Sequence, residues 1–196
     1  MNKKLPTRQL ILEAAIRCIE KRGLDHVTTR AIAEEAGTNI ASINYHFRSK
    51  DELISQTLST TLQHMLDDVM LELARSDASF EATLREVFRY LLEGSRRYPG
   101  VSRAHLSLAI SSRRGESVSA RAMLKVFNGL MERAVQAYPH KRRKVLTLRL
   151  AQVMNAILFV LLVPDFFKVR RGKGARLHAG EHAEADSYAS LFLRSI

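Results

Sequence analysis

From Leu10 to Leu193, apolar residues recur three and four positions apart, in stripes separated by glycine, proline and capping residues. That period belongs to amphipathic helices; a half-buried strand alternates every second residue, and no stretch of this chain reads that way. The expected fold is all-α. Leu10, Ile11, Ala14, Ala15, Cys18 and Ile19 form the first stripe, closed by Gly23. Two short patterns follow, Thr28–Ala36 and Asn39–His46, joined at Gly37. Ser49-Lys50-Asp51-Glu52 has the form of a capping box and opens a long stripe from Leu53 to Leu73. Phe80–Leu92 and Val101–Ser111 come next, then a stripe of Met123, Leu124, Phe127, Leu130, Met131, Ala134 and Val135. A strongly apolar helix, Val145–Val163, precedes a basic, Gly- and His-containing segment, Arg170–Ala185, read as a loop. A last short helix spans Asp186–Leu193. The expected division is a three-helix unit over residues 1–50 and a larger helical unit over 51–196.

Charge narrows the partners. The chain carries 31 Lys and Arg against 20 Asp and Glu, with both ends positive and the middle neutral. Such an excess concentrates polyanions near the surface, or serves solubility alone. Cys18 is the one cysteine, so an intrachain disulfide is impossible and a reducing compartment is expected. Its spacing after Ile11 and Ala15 makes it a small core residue rather than a nucleophile. Met1–Pro6 is basic and polar with no apolar run behind it, so no signal peptide is expected. Arg149, Gln152 and Asn155 interrupt the most apolar stretch and leave only Ala156–Val163 unbroken, well short of the roughly 20 residues a bilayer demands. It is expected to be a buried helix, in a cytoplasmic protein without a membrane partner.

The two short helices around Gly37 have the layout of a helix-turn-helix, a DNA-binding unit. On a helical wheel, Ile43 and Phe47 face the preceding helices. Ala41, Ser42 and Tyr45 lie opposite, His46 on the edge, and Ile40 on the boundary between core and groove. This outward face is small, polar and aromatic, without an acidic residue, and suits the major groove of double-stranded DNA. Unpaired amides at the helix starts near Thr28, Asn39 and Ser49, with Arg30 and Lys50 beside two of them, suit phosphate. His46 either bonds phosphate or closes the helix end. Lys3, Lys4 and Arg8 either form a minor-groove arm or a frayed basic terminus.

At these residues the chain resembles the tetracycline-repressor (TetR) family. Ile11-Leu12-Glu13-Ala14-Ala15, Gly23, Thr28, Arg30, Ile32-Ala33, Ala36-Gly37, Ile43, His46-Phe47 and Ser49-Lys50 match its signature in order and spacing, over roughly the first 55 residues. The resemblance implies an all-α homodimer that binds a palindromic operator, usually as a repressor, and answers to a small-molecule effector. It also implies that Thr28, Thr29 and Arg30 meet phosphate or a base edge and that Lys50 clamps the backbone. Ile40, Ala41, Ser42, Asn44, Tyr45 and His46 would then face the groove, with Asn39, the cap of their helix, also among the DNA-binding residues. Thr38 and Asn44 depart from the commonest family residues; Asn44 is read as a base or a phosphate contact.

In the second half, Met70, Phe88, Leu92, His105, Phe127 and Met131 are candidates to line an effector cavity, with a filled core as the alternative. Gln152, Asn155, Ile157, Leu158 and Leu161 are candidates for the dimer interface, where a buried Asn155 must find a partner. Arg113-Arg114, Lys141–Lys144 and Lys168–Arg176 read as solvated surface. No Gly-rich phosphate loop, paired metal ligands or serine elbow is present, so neither an enzyme nor a cofactor or metal is expected. A charge-only nucleic-acid binder is the competing reading, and the small-residue groove face argues against it.

Overall fold

The computed structural model describes residues 7–111, 117–162 and 181–196, and among these every regular element is helical. Helix α1 runs Thr7–Arg22 and a short turn of 3-10 helix covers Leu24–His26. Helices α2 (Thr29–Ala36) and α3 (Ile40–His46) follow, and α4 extends for 25 residues, Lys50–Ala74. Then come α5 (Phe80–Arg97), α6 (Pro99–Ser111), α7 (Val118–Ala137), α8 (Arg143–Leu162) and α9 (Glu181–Leu193).

The helix starts are chemically marked. The side chains of Thr28, Asn39, Ser49, Ser79 and Ser117 each accept a hydrogen bond from the amide three residues on, at the heads of α2, α3, α4, α5 and α7. The box at Ser49 is shifted. Glu52 reaches back to the amide of Arg48 at 2.9 Å, one residue before the cap, and not to that of Ser49. Gly37 closes α2 at φ 64°, in the left-handed region, and its amide bonds back to the carbonyl of Glu34.

Two apolar cores form. The first gathers α1, α2 and α3 through Ile11, Ile19, Ile32, Ile43 and Phe47. It draws Leu53, Ile54 and Leu58 from the first turns of α4, and Val101 and Ala104 from α6. Cys18 is inside it, its thiol donating to the carbonyl of Ala31 at 3.6 Å, and burial raises its pKa. The second core joins the rest of α4 with α5, α7, α8 and α9. Phe80, Phe88 and Phe192 are among its members, with Phe80 and Phe192 edge to face at 5.7 Å.

Expectations change at three helices. Leu124 is 58% exposed; the second half of the expected α7 stripe, Leu130, Met131 and Ala134, is buried, but in the first half Ala122 and Val126 are the buried residues, each one position before an expected one. Helix α9 starts at Glu181, five residues before the expected Asp186, so the end of the supposed loop is helical. Helix α8 is not buried all round. Leu146, Leu150, Val153, Met154 and Ile157 enter the second core, whereas Leu148 is 56% exposed and Gln152 and Asn155 stand in solvent. By length and composition Arg143–Leu161 also qualifies to cross a bilayer, contrary to the expectation. Its buried stripe packs against α7 and α9 as the core helix of a globular protein does.

Candidate nucleic-acid interface

Helix α3 is only seven residues long, so its orientation depends on what anchors it. Ile43 and Phe47 are each 1% exposed and fasten one side to the first core. The opposite side faces out: Ala41, Asn44 and Tyr45 are exposed, Ser42 is half-buried, and Tyr45 reaches 86% exposure. Ile40, the boundary residue, is 45% exposed and so belongs to the outward face rather than the core. His46 is half-buried, its ring in edge contact with Tyr45 at 5.1 Å and Phe47 at 6.4 Å.

The framing residues carry out cap chemistry while leaving donors available. The Thr28 hydroxyl accepts from the amide of Ala31 at 3.1 Å, which leaves its proton to donate outward. Asn39 Oδ1 accepts from Ser42 at 2.8 Å, and its NH2 remains for a phosphate or base. Thr29 is half-buried beside Thr28. Arg30 pairs with Glu34 one turn on at 3.2 Å, with both side chains largely exposed, a surface pair that phosphate can displace at little cost. Lys50 Nζ donates to the carbonyl of Val27 at 2.9 Å, tying the start of α4 to the segment before α2. An ammonium has three donors, so this bond still leaves two.

Two further cations lie nearby, Arg48, which the sequence pattern did not single out, and Arg8, which it placed in a terminal arm or a frayed end. Arg48, in the turn between α3 and α4, is exposed; it lies one residue past the wheel used to choose the groove face. Arg8 belongs to α1 rather than to a terminal arm. Its guanidinium lies 5.3 Å from the centroid of the Phe47 ring and bonds Gln56 on α4, a juxtaposition that only tertiary packing creates. Lys3 and Lys4 lie outside the described residues, as do Arg113-Arg114 and Lys168–Arg176.

Helix α1 carries the reading unit. Arg17 Nε and Lys21 Nζ both bond the Glu35 carboxylate on α2 at 2.7 Å. The Lys21 and Arg17 hydrogen bonds hold that carboxyl below its ordinary pKa.

The arrangement is a helix-turn-helix, and comparison with known proteins assigns it. Residues 11–57 match the family described as bacterial regulatory proteins, tetR family. Residues 11–57 therefore form a TetR-family DNA-binding domain. Members of that family are DNA-binding regulators of transcription and not enzymes. The HTH-type transcriptional regulator BetI of Agrobacterium fabrum is 26% identical over 121 residues, 62% of this chain and 57% of that relative's length. Among solved structures, a transcriptional regulator from Rhodococcus sp. Rha1 superposes with a TM-score of 0.73 at 17% identity, covering 96% of this chain and 97% of that one. The regulator FadR from Bacillus subtilis, solved in complex with stearoyl-CoA, superposes at 0.72 and 13% identity, covering 96% and 98%. These likenesses show that the fold of such regulators extends beyond the matched domain to the rest of the chain.

The other candidate residues divide. Phe88, Leu92 and Met131 are fully buried in the second core, with Met70 and Phe127 packed half-buried against it. His105 stands apart, on α6. Its Nε2 meets Thr61 Oγ1 of α4 at 3.1 Å and its Nδ1 meets Ser119 Oγ of α7 at 2.9 Å. Burial lowers its pKa to about 4. The Thr61 hydroxyl already donates to the carbonyl of Leu58, so it must accept from Nε2–H, and Nδ1 accepts from Ser119. A groove of about 690 Å³ opens beside Lys50, Ile54, Leu58 and Val118, and of the six effector candidates only His105 lines it. Of the dimer candidates, Gln152 and Asn155 are exposed and Leu158 and Leu161 half-buried, but Ile157 is wholly buried in its own chain's core. A side chain so covered has nothing left to offer a second subunit.

Proposed function

We propose that this TetR-family protein is a transcriptional repressor that binds a palindromic operator in double-stranded DNA as a homodimer and is released by a small-molecule effector. The observation that carries the reading is the outward face of α3. Tyr45, a large aromatic, stands 86% exposed between Ala41, Asn44 and a half-buried Ser42, while Ile43 and Phe47 hold the helix from behind. The roles proposed are base contact for Ile40, Ala41, Ser42, Asn44 and Tyr45, and backbone contact for Thr28, Thr29, Arg30, Asn39, His46 and Lys50, with Arg8 and Arg48 added. Phosphate contacts fix the register and groove contacts read the sequence.

A second subunit is supported by the open faces of the last two helices. Leu148, Gln152 and Asn155 follow one another at helical spacing on α8, with Leu158 and Leu161 half-buried further on, and Leu191 is 58% exposed on the neighbouring α9. Pairing these faces across a twofold axis would cover exposed leucines and give Asn155 a partner. Two reading helices about 34 Å apart would then enter successive major grooves. The second core around Met70, Phe88, Leu92, Phe127 and Met131 is the proposed seat of the effector, which must part packed side chains to enter. His105 lines the separate groove beside Lys50, Ile54 and Leu58. Acyl compounds are the first to screen, because the Bacillus subtilis neighbour holds stearoyl-CoA. The proposed place of action is the cytoplasm, where a bacterial regulator meets its DNA.

Selection of binding sites from random DNA tests the reading. The expected pool converges on a dyad-symmetric consensus with half-sites one helical turn, or a multiple of it, apart. A featureless pool with steep salt dependence would favour a binder that uses charge alone.

A further inference from the structure

The first turn of α6 is capped from far away. Five helices take their cap from the residue just before them, but α6 takes a carboxylate from α1. Glu20 Oε2 accepts from the amide of Gly100 at 2.9 Å and Oε1 from that of Val101 at 2.7 Å, across 80 residues of chain. These are amides that no carbonyl within α6 can reach, so the carboxylate satisfies them and favours the positive end of the helix. The contact is close as well as polar. A Cβ at Gly100 would lie 2.8 Å from the carbonyl oxygen of Ile19 and 2.9 Å from Cα of Glu20, both backbone atoms. Only glycine lets the two backbones meet.

Two further contacts give this joint a direction. Val101 and Ala104 are buried in the first core, whereas His105 bonds α4 and α7. Helix α6 therefore has its beginning in the reading unit and its middle among the helices that follow. On the other side of the joint, Glu20 shares α1 with Arg17 and Lys21, whose cations both hold Glu35 of α2. Two sets of charge-assisted hydrogen bonds thus meet on the last turns of α1, one to the head of α6 and one to α2, with the helix backbone joining them.

We propose that Glu20 is a positioning residue for DNA recognition, the joint through which the position of α6 sets the orientation of the reading unit. Its value to regulation rests on the repressor reading; its geometry does not.

The test uses the full-length chain with Cys18→Ser and nitroxide labels on cysteines at the exposed positions Glu34 and Gln136, diluted with unlabelled chain. The distance distribution between them, taken without DNA, is expected to be narrow. In Glu20→Ala it should broaden at least twofold. Affinity for the palindrome recovered by selection should fall about tenfold while affinity for scrambled DNA holds. Glu20→Gln, which keeps one oxygen to accept, should fall between on both measures, and it decides the matter if Glu20→Ala does not fold. A variant distribution as narrow as the native one overturns the joint. Broadening with no selective loss of palindrome affinity overturns its role in recognition. If selection yields no palindrome the repressor reading fails, and the distance measurement still judges the joint by itself.

Discussion

Tyr45 and His105 show what single side chains do here. Tyr45 is 86% in solvent and packs little beyond its edge contact with His46, so under the proposed reading truncation would remove contact with DNA and little else. Tyr45→Ala should lower affinity for the selected palindrome by tenfold or more and for scrambled DNA less than twofold, by titration at one salt concentration. Equal losses would make Tyr45 a backbone contact. His105 is neutral in the native protein down to about pH 4, because burial disfavours its cation, while in the unfolded chain it titrates near 6.5. Above pH 6.5 neither state takes up a proton there and the native bonds to Thr61 and Ser119 count in full. As pH falls from 6.5 to 4 only the unfolded state binds the proton, so stability drops by at most about 1.4 kcal/mol per unit. His105→Gln should flatten that part of the stability profile, measured by urea unfolding between pH 7 and pH 4.5. A slope unchanged by the substitution would place the titration elsewhere.

Among the elements, the short helices were easiest to read in the sequence and the long apolar one hardest. Thr28, Gly37, Asn39 and Ser49 mark their boundaries by local chemistry, and the structure uses each one in a cap or a left-handed turn. Gly37→Ala keeps open space around the new Cβ but forces φ 64° on an L side chain. It should cost about 1 kcal/mol, seen as a lower midpoint in thermal unfolding. The outward face of α3 was legible for the same reason: Ile43 and Phe47 can only point inward, which fixes where Tyr45 points. Helix α8 defeated the reading because apolar composition does not say which of its faces the rest of the chain covers. Ile157 and Leu148 look alike in sequence, yet one is wholly buried and the other 56% exposed. The packing of Arg8 against α4 and the role of Glu20 could not be read either, because their partners lie 48 and 80 residues away. If the open faces of α8 and α9 pair, Leu148→Glu should shift the protein to monomer in sedimentation and abolish tight palindrome binding, without loss of helix content. A dimer that survives this change must be built on another face.

At the scale of the molecule, the two cores do not part where the chain changes character near residue 50. The first continues into α4 as far as Leu58 and reaches across to α6 for Val101 and Ala104. Helix α4 also passes from the first core into the second, so its 25 residues tie the reading unit to the helices proposed to hold the effector. Regulation by displacement then needs no contact between effector and DNA. It needs only two positions of α4 and α6 that the effector binds unequally.

The plug of Val101 and Ala104, together with the Gly100 seat, has a practical side for protein engineering. A reading head cut after the first turns of α4 would leave Ile19 and its neighbours uncovered and the Glu20 carboxylate without its two amides. Grafting this head onto a foreign sensor therefore requires a donor segment from Pro99 to Ala104, or a substitute helix that begins with glycine in the same place.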